Sequence, residues 1–208
     1  MTGVVDPSLQ RAIDSLSLPG ILIGHRLITP GDELALLEEE KHSIASDVVP
    51  VRRASGAARI VGRQLLARLG YAECALPKGP SGAPIWPAGV TGSFAHDDRV
   101  AVAAVGLRGD VAAMGIDVEP AELLPSELLE LVATPQEQLR ICDDLYHGRL
   151  LFAAKEAVYK AIYPLDQVFL EYHDIQIDLA DRKAIVRNGR VLELRFCMSA
   201  HLVVLALI

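Results

Sequence analysis

Residues 174–208 read DIQIDLADRKAIVRNGRVLELRFCMSAHLVVLALI, four short apolar runs separated by turn-forming residues. DIQIDLA, KAIVRN, VLELRFCMS and HLVVLALI are each strand-sized, and Asn188-Gly189 between the second and third is a hairpin signal. Toward the N-terminus, residues 147–162 carry a helical pattern that stops before Pro164, and residues 125–131 open another. MGIDVE (114–119) and RVAVAAVGL (99–107) read as two strands joined by the turn former Arg108-Gly109-Asp110. PKGPSGAPIWPAGVTG (77–92) is too broken by proline and glycine for a helix and reads as an ordered loop. A helix over about 53–69 closes at Gly70, an earlier one runs through the acidic segment and stops by Pro50, and ILIGHRLI (21–28) is a strand. Helix and antiparallel strand thus occur in both halves. The expected fold is α+β, with an N-terminal lobe over 1–110 and a C-terminal lobe over 111–208.

The composition narrows the function classes. The chain has 208 residues, 51% of them hydrophobic, and a formal charge of −7. Such a chain is too apolar to be disordered, yet no apolar run nears the ~18 residues of a spanning helix. VAVAAVGL and LVVLALI, the longest runs, are strand-sized. MTGVVDPSLQ has no basic region leading into an apolar stretch, so no signal peptide is expected. Cys74, Cys142 and Cys197 are odd in number and scattered, which predicts a reduced, cytoplasmic protein without a disulfide framework or zinc site. The acidic balance argues against general nucleic-acid binding, which rests on phosphate neutralisation by lysine and arginine. The charge is unevenly spread, however. Asp32, Glu33, Glu38, Glu39, Glu40 and Asp47 crowd one segment, whereas residues 52–70 hold five arginines and no acid. An acidic protein therefore carries one anion-attracting element.

Four groups of residues carry chemistry. In Gly115-Ile116-Asp117-Val118-Glu119, strand alternation projects Asp117 and Glu119 to one face. Two such carboxylates need solvent or a hard cation such as Mg²⁺ over them. In Phe152-Ala153-Ala154-Lys155-Glu156-Ala157-Val158-Tyr159-Lys160, helical spacing buries Leu151, Ala154 and Val158 and stacks Glu156 on Lys160. Either that is an ordinary i,i+4 pair, or Glu156 is a third carboxylate, with Lys155 and Lys160 on phosphate oxygens. Arg52, Arg59 and Arg63 fall within about 40° of one another on a helix. Arginines at i,i+4 repel, so Arg59 and Arg63 imply an anion between them, or a basic face paired with the acidic segment. In Gly92-Ser93-Phe94-Ala95-His96-Asp97-Asp98 there is no nucleophile elbow. His96 there is a structural partner, a metal ligand beside its aspartates, or a cation for a phosphate.

In this order, these pieces resemble the 4′-phosphopantetheinyl transferases of the larger, pseudo-dimeric class that activates enterobactin and surfactin synthetases. The matching residues are Arg59-Ile60-Val61-Gly62-Arg63 with Leu69-Gly70, Gly82-Ala83-Pro84-Ile85-Trp86-Pro87, Gly92-Ser93 with His96, residues 115–119 and residues 152–160. The resemblance spans about residues 50 to 164. It implies two similar α+β lobes related by a pseudo-twofold, with coenzyme A in the cleft between them. It assigns Asp117, Glu119 and Glu156 to Mg²⁺, Lys160 to the attacked phosphate, Lys155 to the cofactor-binding lysine beside the metal carboxylate, His96 to a phosphate contact, and Arg52 and Arg59 to the 3′-phosphate. Lys78 becomes an adenosine- or phosphate-side contact. Arg63 is structural in this register, and an alternative register exchanges it with Arg59. The family's usual Glu-Phe after the first arginine is Ala54-Ser55 here, and its usual Ser-His is Ala95-His96.

The implied reaction moves the phosphopantetheine arm of coenzyme A to a serine of an apo acyl or peptidyl carrier protein, with Mg²⁺, releasing adenosine 3′,5′-bisphosphate. Glu156 or a water on the metal takes the serine proton. Fatty-acid, polyketide and peptide carriers all stay open as partners, secondary-metabolite biosynthesis is the expected setting, and a single chain holding both lobes suffices as a monomer. The alternatives are a catalytically quiet coenzyme A-binding or regulatory protein and a Mg²⁺-dependent phosphate-ester hydrolase.

Overall fold

Val100–Leu107 and His201–Leu207 are apolar at almost every position, and both are buried nearly throughout. A strand covered on one face alternates apolar and polar residues. One covered on both does not. The computed structural model describes residues 5–44, 46–72, 74–141 and 146–208, so Cys142 lies outside it. The elements are α1 (Pro7–Asp14), β1 (Ile21–Leu27), α2 (Glu38–Ser43), α3 (Val49–Arg68), β2 (Val90–His96), β3 (Val100–Leu107) and β4 (Met114–Pro120). After them come α4 (Ser126–Val132), α5 (Pro135–Gln138), α6 (His147–Asp166), β5 (Ile175–Asp178), β6 (Lys183–Val186), β7 (Val191–Met198) and β8 (His201–Leu207). Short 3-10 turns occupy Asp32–Ala35 and Tyr172–Asp174. The chain is α+β.

Two antiparallel sheets form, one in the order β1-β3-β2 and one in the order β4-β8-β7-β6-β5. Their inner faces meet in an apolar layer of Val100, Val102 and Ala104 against Ile116, Val118, Val203 and Leu205. Each outer face backs onto a 20-residue helix. α3 packs Val61, Leu65 and Leu66 onto Ala103 and Val105, while α6 packs Ala154, Ala157, Val158 and Ala161 under Val204 and Ala206. The layers run helix, sheet, sheet, helix. No helix among the described residues is long and apolar enough to cross a membrane.

Several elements depart from the sequence expectations for identifiable reasons. β3 and β4 are joined at Arg108–Asp110 but do not pair, because that turn carries the chain from one sheet to the other. Pro50 opens α3 rather than ending a helix, since a first-turn N–H has no partner to lose. The expected acidic helix divides into the turn at 32–35 and α2. α6 runs two residues past Pro164 and closes at Gln167 in the left-handed region, φ 51°. β2 was hidden by its glycine. Gly92 lies under the Trp86 ring, where a Cβ would sit 2.7 Å from a ring carbon. α1 was also unexpected. The Asp6 carboxylate caps it, accepting from the backbone of Ser8 and Leu9 at 2.7 and 3.1 Å, and Leu9 and Ile13 enter the inter-sheet layer.

Candidate active site

The site begins at Gly115. On β4, Ile116 and Val118 point into the inter-sheet layer, so Gly115, Asp117 and Glu119 face α6. A Cβ at Gly115 would lie 1.9 Å from the Ala157 carbonyl oxygen, so only glycine permits α6 to lie this close. That approach brings Glu156 and Lys160 of α6 beside the β4 carboxylates. Arg149, Glu156, Lys160 and Tyr163 form a single stripe, all within about 60° of helix circumference.

Each carboxylate has its own donor. The Lys160 ammonium donates to Asp117 Oδ1 at 2.6 Å, Arg149 to Glu119 Oε2 at 2.9 Å, and the Tyr172 hydroxyl to Glu156 Oε1 at 2.9 Å. Asp117 Oδ2 is buried with no hydrogen-bond partner among the described residues. Burial, opposed by Lys160 and reinforced by Glu119 and Glu156, pushes the Asp117 carboxyl up to about 6. Burial also raises Glu119, against the pull of Arg149. A divalent cation fits this arrangement, because it would supply the missing partner of Asp117 Oδ2 and offset the mutual repulsion. No preformed cluster of three His, Cys, Asp or Glu ligands exists among the described residues, since each carboxylate is turned to its own donor. The folded protein holds the Asp117 proton more tightly than the unfolded chain. The resulting cost is absent below about pH 4, grows between about pH 4 and 6, and is fully present above that. Asp117→Asn should therefore stabilise the metal-free protein near neutral pH, by up to about 3 kcal/mol, with no gain below about pH 4. Urea unfolding at the two pH values checks this.

A cavity of about 1400 Å³ opens beside the carboxylates. Its walls are α3, the loop before β2, β2 itself and the cleft face of α6. Arg59, Lys78, Arg108 and Lys160 line it together with His96, and no Asp or Glu does among the described residues. The loop is ordered by its own bonds. Gly79 N–H donates to Ala83 O at 2.8 Å, Lys78 N–H donates to the Ser43 hydroxyl at 2.8 Å, and Trp86 packs on Phe94 at 4.8 Å.

The structure brings most of the sequence-predicted residues to this cleft. Arg59 lines it, anchored by Nε to Leu76 O at 2.9 Å and by Nη1 to Ser55 O at 3.1 Å. Burial lowers its pKa, but a guanidinium keeps its charge. His96 is at the mouth, where partial desolvation and the Lys160 charge lower its pKa. Neighbouring Asp97 serves the fold. It accepts from the backbone of Arg99 and Val100 and from His201 at 3.0 Å.

One expectation needs correction. Lys155 is completely buried. Its ammonium donates to Glu137 Oε2, Val132 O and Tyr172 O at 2.7, 2.8 and 2.9 Å, so it is not a phosphate contact here. Adjacent helical residues point about 100° apart, so Lys155 cannot share the cleft face of Glu156. Arg63 pairs with Glu40 of the acidic segment at 2.6 Å, which is the structural reading of that residue. Arg52 is half-buried and is not among the residues lining the cavity.

Sequence reasoning missed Arg149, Tyr163 and Tyr172. The seven-residue spacing of Arg149 and Glu156 was a usable signal, whereas nothing local marks Tyr172.

The profile of the 4′-phosphopantetheinyl transferase N-terminal domain matches residues 38–106, and that of the 4′-phosphopantetheinyl transferase superfamily matches residues 113–204. The chain is 39% identical over 177 residues to the 4′-phosphopantetheinyl transferase Npt of Nocardia iowensis, covering 83% of this chain and 80% of that protein. It is 37% identical to the transferase Svp of Streptomyces mobaraensis, covering 71% and 63% of the two chains. It is 36% identical to PptT of Mycobacterium tuberculosis, covering 69% and 65%.

Proposed function

The chain belongs to the 4′-phosphopantetheinyl transferase superfamily and is an enzyme of that class, and on this premise we propose how its cleft works. The substrate is coenzyme A and the acceptor a serine hydroxyl of an apo acyl or peptidyl carrier protein. The serine Oγ bonds to the phosphorus that carries pantetheine, the bridging P–O bond breaks, and adenosine 3′,5′-bisphosphate leaves. The observation that carries this reading is a cleft of about 1400 Å³ lined, among the described residues, by four Lys and Arg side chains and no carboxylate, ending beside three carboxylates. A ligand with phosphates along its length and a metal-binding pyrophosphate matches that polarity.

Phosphoryl transfer is chiefly positioning and charge neutralisation. In this reading 1–110 and 111–208 are two half-sites, one bringing α3 and its loop, the other the carboxylates, so a monomer suffices. Asp117, Glu119 and Glu156 would hold Mg²⁺, which neutralises pyrophosphate charge when bound. Lys160 hands its ammonium to the attacked phosphate, and His96 and Arg108 add positive charge along the cleft. Glu156 takes the serine proton. The cytoplasm, where coenzyme A and carriers meet, is the proposed location.

Arg59 and Lys78 receive the 3′-phosphate end. Arg59 spends two of its five donors on Leu76 O and Ser55 O, leaving three N–H groups for an anion. Arg59→Ala is expected to weaken coenzyme A about tenfold or more while changing dephospho-coenzyme A little, as for loss of a charged hydrogen bond. Equal losses for both ligands would remove this assignment. Arg63 and Arg52 are the poorer candidates, one committed to Glu40 and one outside the lining.

The test is the mass of an apo carrier after incubation with the protein, coenzyme A and Mg²⁺. Gain of one phosphopantetheine supports transfer. Degraded coenzyme A with an unchanged carrier points to a hydrolase, and no change in either points to a binding protein.

A further inference from the structure

Lys155 does not reach the cleft, yet the network built around it does. Its ammonium has three donors, and all are used within the protein, on Glu137 Oε2, Val132 O and Tyr172 O. Glu137 is equally committed. Oε2 also accepts the Thr134 backbone N–H at 2.8 Å, and Oε1 accepts the Ile177 backbone N–H at 2.7 Å. A single buried ion pair thus ties together the end of α4, α5, α6 and the segment 172–177. A buried pair costs desolvation and contributes little net stability, but it fixes directions that an apolar contact leaves loose.

One of those directions points into the site. The Lys155 ammonium grips the backbone of Tyr172, whose ring packs on Phe152 at 6.0 Å and whose hydroxyl donates to Glu156 Oε1 at 2.9 Å. The donated bond occupies one oxygen of Glu156, and Oε2 has no hydrogen-bond donor among the described residues.

We propose that Tyr172 is a positioning residue for Glu156, aimed by the buried Glu137–Lys155 pair so that Glu156 Oε2 is free for the cation and the acceptor. Groups that orient a metal carboxylate in this way matter nearly as much as the ligand itself. The proposal rests on the transferase reading for the role of Glu156. It assigns Lys155 a supporting function in place of the phosphate contact expected from the sequence.

The experiment compares wild type with Tyr172→Phe, which removes one oxygen and keeps the packing, and with the double variant Lys155→Met/Glu137→Gln, which removes the pair without leaving a lone buried charge. Mn²⁺ serves as the probe, its affinity for the coenzyme A-loaded protein read by electron paramagnetic resonance. Carrier modification supplies kcat and KM. Tyr172→Phe is expected to weaken Mn²⁺ about 10-fold or more and to lower kcat similarly, as losses of such orienting partners do. KM for coenzyme A and the thermal midpoint should stay near wild type. If the double variant folds, it should weaken Mn²⁺ in the same way. Unchanged Mn²⁺ affinity and kcat in Tyr172→Phe would overturn the proposal, as would a loss confined to KM. The Mn²⁺ comparison stands by itself. A wild type that binds Mn²⁺ and modifies no carrier would remove the transferase reading and leave this inference to the metal data.

Discussion

Glu156→Gln is expected to cut transfer to an apo carrier by about 10²–10⁴-fold while leaving the protein folded. The substitution keeps the size of the side chain, and its amide oxygen can still accept from the Tyr172 hydroxyl, which donates to Glu156 at 2.9 Å. Glu156 is half-buried on the cleft stripe of α6, so little packing changes. What disappears is one negative charge beside the phosphates and one acceptor for the serine proton. A folded variant with near-normal turnover would show that neither matters. It would move the proton-accepting role away from α6 altogether.

The second large effect concerns the scaffold. Gly115→Ala should destabilise by more than about 3 kcal/mol, beyond ordinary overpacking, because the new methyl meets backbone rather than a flexible side chain. Ala157 O would lie 1.9 Å and Ala161 N 2.6 Å from it, and neither can turn aside without shifting the whole helix. For a chain of this size that loss corresponds to a fall of about 10 °C in the thermal midpoint. Transfer should fall with it even below the melting range, since a displaced α6 separates Glu156 and Lys160 from Asp117. A midpoint within about 2 °C of wild type would contradict the close β4–α6 approach from which the site is built.

These two residues also mark how much of the molecule the sequence discloses. Alternation in GIDVE puts Asp117 and Glu119 on one face, and helical spacing puts Glu156 and Lys160 on another. Both faces were readable, and they meet in the structure. The α+β character, the last four strands and α3 were readable for the same reason, because periodicity is a local property. Partnership is not local. Glu40 as the anion for Arg63 lies 23 residues away, and Ile177 as a partner of Glu137 lies 40 away. The reading of Lys155 failed on direction, since chain adjacency to Glu156 gives no claim on the same face. Its true partner had a faint signature, the capping box Thr134-Pro135-Gln136-Glu137, which places a carboxylate at a helix start but does not say what else it holds. β2 was lost among prolines and glycines because its glycine is needed for the approach of Trp86.

The net charge of −7 gave little warning of this cleft, because the acids that set it lie elsewhere. Three acids of the early segment are paired with α3 or with β1, in Arg63–Glu40, Arg53–Glu33 and Arg26–Asp32. The cleft is lined instead by Arg59, Lys78, Arg108 and Lys160.

The central claim is that β4 and α6 together hold one divalent cation beside the cleft for coenzyme A. Calorimetric titration of Mg²⁺ into the coenzyme A-loaded protein tests it most directly, with wild type beside Asp117→Asn. The account predicts one Mg²⁺ per chain for wild type and no measurable binding for the variant at the same concentrations. Equal Mg²⁺ binding by both proteins would contradict it.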